Sequence, residues 1–210
     1  GIPVMFFVSK MDEENADFFS VVDQLRETFG KSVVPFAIPI IENEHFIGLV
    51  DIVDLRARKF EKDKKVDIDI PENMKDRVAQ YREALNEAIA ETDEELMEKY
   101  FSGEPFTHDD ILKGVHIGMR DGSVCPVYCG SALNNQGVQY LMDAIIDDLP
   151  CPADNPVVQG TKPGSDQTVE LKANPAQPLA ALVFKTIADP FVGKISLFRV
   201  YSGTLKADAS

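Results

Sequence analysis

The stretch VMFFVSKMD, residues Val4 to Asp12, decides how the chain is read. Val4 to Val8 are apolar, aromatic or β-branched without a polar interruption. That is the pattern of a strand covered on both faces in the middle of a parallel sheet. Ser9-Lys10-Met11-Asp12 then falls at the strand's carboxyl end. Open α/β sheets bind ligands outside those ends, so Lys10 and Asp12 are candidate ligand-facing residues.

Apolar residues at Phe18, Val21, Val22, Leu25 and Phe29 predict a helix over 16–29 laid on that sheet, with Gly30 as its stop. The same unit recurs later. Val124 to Cys129 reads as a strand and Gly130-Ser131-Ala132 as the loop after it. A helix from about Gly137 to Leu149 follows, with Val138, Leu141, Met142, Ile145, Ile146 and Leu149 inward. If the two strands are parallel in one sheet, Lys10-Asp12 and Ser131-Ala132 open from the same edge. Residues about 120 positions apart then line one pocket.

The intervening residues change character. Val33 to Ile41 is strand-like but carries Pro35 and Pro39, which places it at an edge. His45 to Leu55 reads as its partner across a Glu42-Asn43-Glu44 turn, and Val66 to Ile70 as a further strand of a small antiparallel sheet. Three helices follow. The first begins after Pro71 and turns Met74, Val78, Tyr81, Leu85 and Ile89 inward. Capping-box spacing at Thr92 and Glu95 opens the second, and similar spacing at Thr107 and Asp110 opens the third. Residues 61–110 hold 16 acidic against 7 basic side chains. This is either a solvated face that keeps the chain soluble or a docking surface for a basic protein partner.

Six prolines lie between Pro150 and Pro178, the composition of a connector. Leu179 to Ile187 and Lys194 to Tyr201 are strands joined by a turn, and two strands bury no core alone. The expected organisation is an α/β domain over 1–30 and 123–150, an inserted α+β subdomain over 31–122, a connector over 151–178, and the start of an all-β domain over 179–210. The opening strand lacks neighbours and the last domain stops short, so the chain reads as a fragment of a larger protein.

Composition narrows the function. A formal charge of -14 with a pI of about 4.6 repels a phosphate backbone, and no basic cluster offsets it, so free nucleic acid is disfavoured as a direct partner. Three unevenly spaced cysteines, no signal peptide and no apolar run near twenty residues point to a soluble, cytoplasmic chain with free thiols and no membrane partner. Cys125 and Cys129 alternate with Val127 as core thiols. His45, His108 and His116 are scattered, and no Cys/His spacing fits a metal.

The shared edge has a chemistry of its own. The Asp12 carboxylate can accept two parallel hydrogen bonds from a ring N–H and an exocyclic amine, while the Ala132 N–H can donate to a ring carbonyl. That pattern describes the Watson–Crick edge of guanine. Adenine has neither the ring N–H nor the carbonyl and would leave groups unsatisfied, at roughly 1–3 kcal/mol each. The aliphatic stem of Lys10 can cover a face of the base, and the Ser131 hydroxyl can brace its loop.

At these residues the chain resembles the translational GTPases, most closely elongation factor G and its ribosomal-protection relatives. Ser9-Lys10-Met11-Asp12 resembles the family's Asn-Lys-x-Asp guanine motif, and Gly130-Ser131-Ala132 its second base-recognition loop. FFVSKMDEENADF, VVPFAIPI, FIGLVDIVD, GSALNNQGVQYLMDAI and FKTIADPFVGKISLFRVYSGTL extend the resemblance over nearly all 210 residues. It implies the C-terminal portion of a P-loop GTPase domain with an inserted α+β subdomain, followed by the start of a β-barrel. Ser9, Lys10, Asp12, Ser131 and Ala132 would bind GTP or GDP. Ser9 departs from the family's Asn and implies weaker base binding. No G-x-x-x-x-G-K-[ST] occurs, so the phosphates and Mg2+ would be held by segments absent here, and the chain itself should not hydrolyse GTP. The resemblance also implies the ribosome as partner, its stalk protein through the acidic insert, and ribosomal RNA only through the parent assembly. The rival reading is a non-enzymatic ribosome-binding module with a vestigial nucleotide site. An unrelated α/β metabolic enzyme is disfavoured, because no acid/base pair sits at the strand ends. On the plainest alternative, Asp12 caps the following helix and Ser131 its own turn.

Overall fold

The computed structural model describes residues 2–61, 64–154 and 157–207. The chain divides into two compact units between Leu149 and Pro150. The first contains β1 (Phe6–Val8), α1 (Phe18–Phe29), β2 (Val33–Pro35), β3 (Ala37–Glu42), β4 (His45–Asp51), β5 (Arg56–Glu61) and β6 (Lys64–Ile68). It continues through α2 (Lys75–Ala90), α3 (Glu94–Phe101), α4 (His108–Asp121), β7 (Cys125–Cys129) and α5 (Val138–Asp147).

Among the described residues, β1, β7 and β2 form a parallel sheet in that order, with Val8 opposite Cys129 and Val33 opposite Cys125. The central strand is β7, and Val127, Tyr128 and Cys129 are buried. Among the described residues β1 pairs on one edge, with β7, and its Phe6, Phe7 and Val8 are half-buried.

The proline-bearing segment divides into two strands. β2 joins the parallel sheet, and β3 joins an antiparallel sheet of order β3-β4-β5-β6. Phe36 sits at the crossing: its N–H donates to Val127 at 2.9 Å, and its carbonyl accepts from Ile52 at 2.9 Å. A strand of the parallel sheet therefore lies just beyond residue 30, inside the stretch expected to be wholly insert. Asn43 and Glu44, with φ of 48° and 65°, make the left-handed two-residue turn that suits the twist of β3 and β4. β5 escapes the sequence reading because Arg56-Ala57-Arg58-Lys59 hides its period; Ala57 is buried and Phe60 packs on the core.

Helix ends follow side-chain chemistry. The Asp17 carboxylate accepts from the N–H groups of Phe19 and Ser20, both at 3.1 Å, and opens α1. Thr107 and Asp110 form a reciprocal capping box at α4, which Gly122 closes. At α3 the expected cap is corrected. Asp93 accepts from Glu95 and Leu96, while the Thr92 hydroxyl donates back to Ile89 at the end of α2. A carboxylate one residue closer to the helix outcompetes the threonine. The inward face of α5 is corrected as well: Tyr140, Leu141 and Ala144 face the core, whereas Met142, Ile145 and Ile146 are exposed. The nearly continuous apolar surface of this helix masks the buried stripe.

Among the described residues, the second unit holds two antiparallel hairpins, β8 (Val158–Thr161) with β9 (Thr168–Leu171) and β10 (Ala180–Asp189) with β11 (Gly193–Ser202). Asp189 accepts from the N–H groups of Phe191 and Val192 at 2.8 Å, shaping the β10–β11 turn. Leu182, Val183, Phe184 and Phe198 remain exposed on this hairpin.

Candidate functional site

The parallel pairing of β1 with β7 brings the ends of both strands to one edge, Val8 lying opposite Cys129. The loops beyond are stitched together by backbone. The Gly130 N–H donates to the Val8 carbonyl at 3.0 Å, and the Met11 N–H donates to the Gly130 carbonyl at 3.1 Å. Lys10 adopts φ of 62°, a left-handed conformation that non-glycine residues hold at a cost of roughly 1 kcal/mol or more. That turn carries the chain from β1 to the Met11–Gly130 hydrogen bond. Met11 is buried in the core and anchors the loop, leaving Ser9 and Lys10 exposed and Asp12 half-buried.

Across the edge, Ser131 is fully buried and exchanges two backbone hydrogen bonds with Gln136, both at 2.9 Å. Its hydroxyl accepts from the Asn134 N–H at 3.1 Å, so it does brace a local turn. Ala132 accepts from Asn135 through its carbonyl and is exposed. Gly130 admits no side chain: a Cβ would stand 2.4 Å from the Gln136 carbonyl oxygen and 2.7 Å from Phe7 Cζ.

Asp12 does not cap α1, since Asp17 does. Among the described residues, the side chains of Lys10 and Asp12 and the N–H of Ala132 have no hydrogen-bonding or ionic partner within the protein. A carboxylate, a backbone donor and a flexible ammonium stem therefore share one edge with their bonding capacity free. This donor and acceptor set fits a flat heterocycle carrying adjacent N–H groups and a carbonyl.

A cleft of about 610 Å3 lies elsewhere in the first unit, lined by residues of β4, α4, β7 and α5; none of Ser9–Asp12 or Gly130–Ala132 borders it. The Tyr128 hydroxyl donates there to Asp148, whose carboxyl burial raises to about 6. His116 Nε2 lies 2.5 Å from the Asp147 carbonyl, and His108 pairs with Asp54 at 3.0 Å. Sequence reading missed this cluster because its members come from four separate elements with no common spacing. Its polar groups bond mainly to one another, the pattern of a structural joint.

The acidic surface is partly neutralised. Lys99 bridges Asp110 at 2.7 Å and Glu104 at 3.5 Å, and Lys113 bridges Asp93 and Glu95 at 3.0 and 2.8 Å. These pairs tie α3 to α4. Among the described residues, no helix is long and apolar enough to cross a membrane.

The elongation factor Tu GTP binding domain matches residues 1–151 of the chain. A crystal structure of a protein from Thermus thermophilus is similar over 98% of this chain and 28% of its own, with 32% identity and a TM-score of 0.75. The chain thus spans little more than a quarter of that relative's length.

Proposed function

Since the chain belongs to the family of the elongation factor Tu GTP binding domain, we propose that its Lys10–Asp12 and Ser131–Ala132 edge reads the guanine base in a longer translational GTPase of the elongation factor G type. The observation that carries this reading is the backbone stitch between Met11 and Gly130. It holds a free carboxylate and a free N–H at one sheet edge. Asp12 would accept the ring N–H and the exocyclic amine of guanine, and the Ala132 N–H would donate to its carbonyl oxygen. Lys10 would lay its methylene stem along the ring, and Ser131 would hold the second loop in shape. Ser9, shorter than an asparagine, would contribute less to the first loop.

The phosphates and Mg2+ would be held by other segments of the longer protein, since no G-x-x-x-x-G-K-[ST] lies in these 210 residues. GTP hydrolysis on the ribosome would belong to that whole protein. Within the first unit, β3–β6 with α2–α4 would form an insert between β2 and β7. Its acidic surface would meet a basic protein of the ribosomal stalk.

Calorimetric titration of GDP into the full-length protein tests the reading. Micromolar or tighter binding that Asp12→Ala abolishes supports it. Absence of binding would favour a ribosome-binding module whose nucleotide edge is vestigial, a reading to which Ser9 lends weight.

A further inference from the structure

We infer that Gly137 is a positioning residue for base selection, an inference that rests on the guanine reading above. Gly137 precedes α5 at φ of 78°, and it packs against the strand end that launches the second loop. A Cβ there would lie 2.5 Å from the Cys129 carbonyl oxygen and 3.1 Å from Gly130 Cα. Both obstacles are backbone, so no side-chain rotation relieves the overlap. Relief requires Cys129 and Gly130 to move.

Those two residues are where the loops join. Cys129 is in register with Val8, and Gly130 carries the hydrogen bonds to Val8 and from Met11. Pushing them displaces Ser131–Ala132 relative to Lys10–Asp12. A purine is rigid and of fixed width, and hydrogen bonds weaken steeply once distance or angle departs from the optimum. The Ala132 donor and the Asp12 acceptors can therefore engage one base together only while the strand ends keep their spacing. Gly137 sets that spacing without touching the nucleotide.

The consequence is selective. Guanine uses both loops, whereas adenine offers neither the ring N–H nor the carbonyl and gains little from either. Gly137→Ala should weaken GDP binding at least tenfold while leaving ADP binding unchanged, so that the GDP/ADP ratio falls. Gly137→Asn separates this effect from misfolding. Asparagine tolerates positive φ but carries the same Cβ, so it should lose the same selectivity.

The experiment is competition of GDP and ADP against a fluorescent GDP analogue on the full-length wild type and both variants. Stoichiometry is measured alongside, because misfolding lowers stoichiometry rather than affinity. A selective loss for GDP in the variants supports the inference. Unchanged GDP affinity, or equal losses for GDP and ADP, would overturn it while the guanine reading stands. Wild type that binds GDP no better than ADP would overturn the guanine reading itself.

Discussion

The Met11 N–H donates to the carbonyl oxygen of Gly130 at 3.1 Å, joining two loops that lie far apart in sequence. This hydrogen bond helps make the ends of β1 and β7 a single edge. Gly130 completes the junction through its own N–H to Val8 and has no room for a side chain. Gly130→Ala should destabilise the first unit by about 1–3 kcal/mol, the range for overpacking a close contact. Urea denaturation measures it, and a midpoint equal to wild type would show that the loops yield freely.

Met11 occupies the variable position of its four-residue motif and is 3% exposed. Met11→Ala should cost about 2–5 kcal/mol by leaving a cavity beneath the loop. Met11→Leu, which conserves volume, should cost less than about 1.5 kcal/mol. Equal losses for the two would mean that the methionine does not pack as described.

The cap of α3 offers a discriminating pair. Asp93→Ala removes the oxygen that accepts from Glu95 and Leu96, and also a partner of Lys113. It should cost about 1–2 kcal/mol. Thr92→Ala removes a hydroxyl that closes α2 and should cost less. A larger loss at Thr92 would restore the capping box that the sequence spacing suggests.

Asp148 gives stability a defined pH dependence. Burial raises its carboxyl from the ordinary 3.8 to about 6, so between those values the folded chain holds a proton that the unfolded chain releases. Stability therefore falls as pH rises through that window, by at most about 3 kcal/mol from this group. Asp148→Asn, which can still accept from Tyr128, should flatten the fall between pH 4 and pH 7. Asp110 acts in the opposite direction and lower down. The Lys99 ammonium and the Thr107 cap hold its carboxyl at about 2, so its stabilisation is lost only as pH drops from 3.8 through that value. An unchanged pH profile in Asp148→Asn would remove Asp148 as the source.

The sequence made the candidate edge legible because its two halves are local motifs, each a strand followed by a short polar loop. Parallel pairing of those strands is all that is needed to bring Asp12 and Ala132 together, and β1 does pair with β7 in parallel. What lay beyond reach depended on tertiary competition. Pro35 and Pro39 were visible as breaks, but not that the chain would change sheets at Phe36. The apolar run of α5 predicted a helix without showing that Ala144 and Tyr140, rather than Ile146 and Met142, would be enclosed. The Tyr128–Asp148 joint needs β7 and α5 already packed, so no spacing announces it.

The most direct test of guanine recognition is a change of preference produced at Asp12. Asparagine presents an N–H donor where aspartate presents an acceptor, and xanthine carries a carbonyl where guanine carries its exocyclic amine. Affinities of the full-length protein for GDP and xanthosine diphosphate are to be measured for wild type and Asp12→Asn. Wild type should prefer GDP and Asp12→Asn should prefer xanthosine diphosphate, each by tenfold or more. If Asp12→Asn keeps the wild-type order of preference, Asp12 does not read the base.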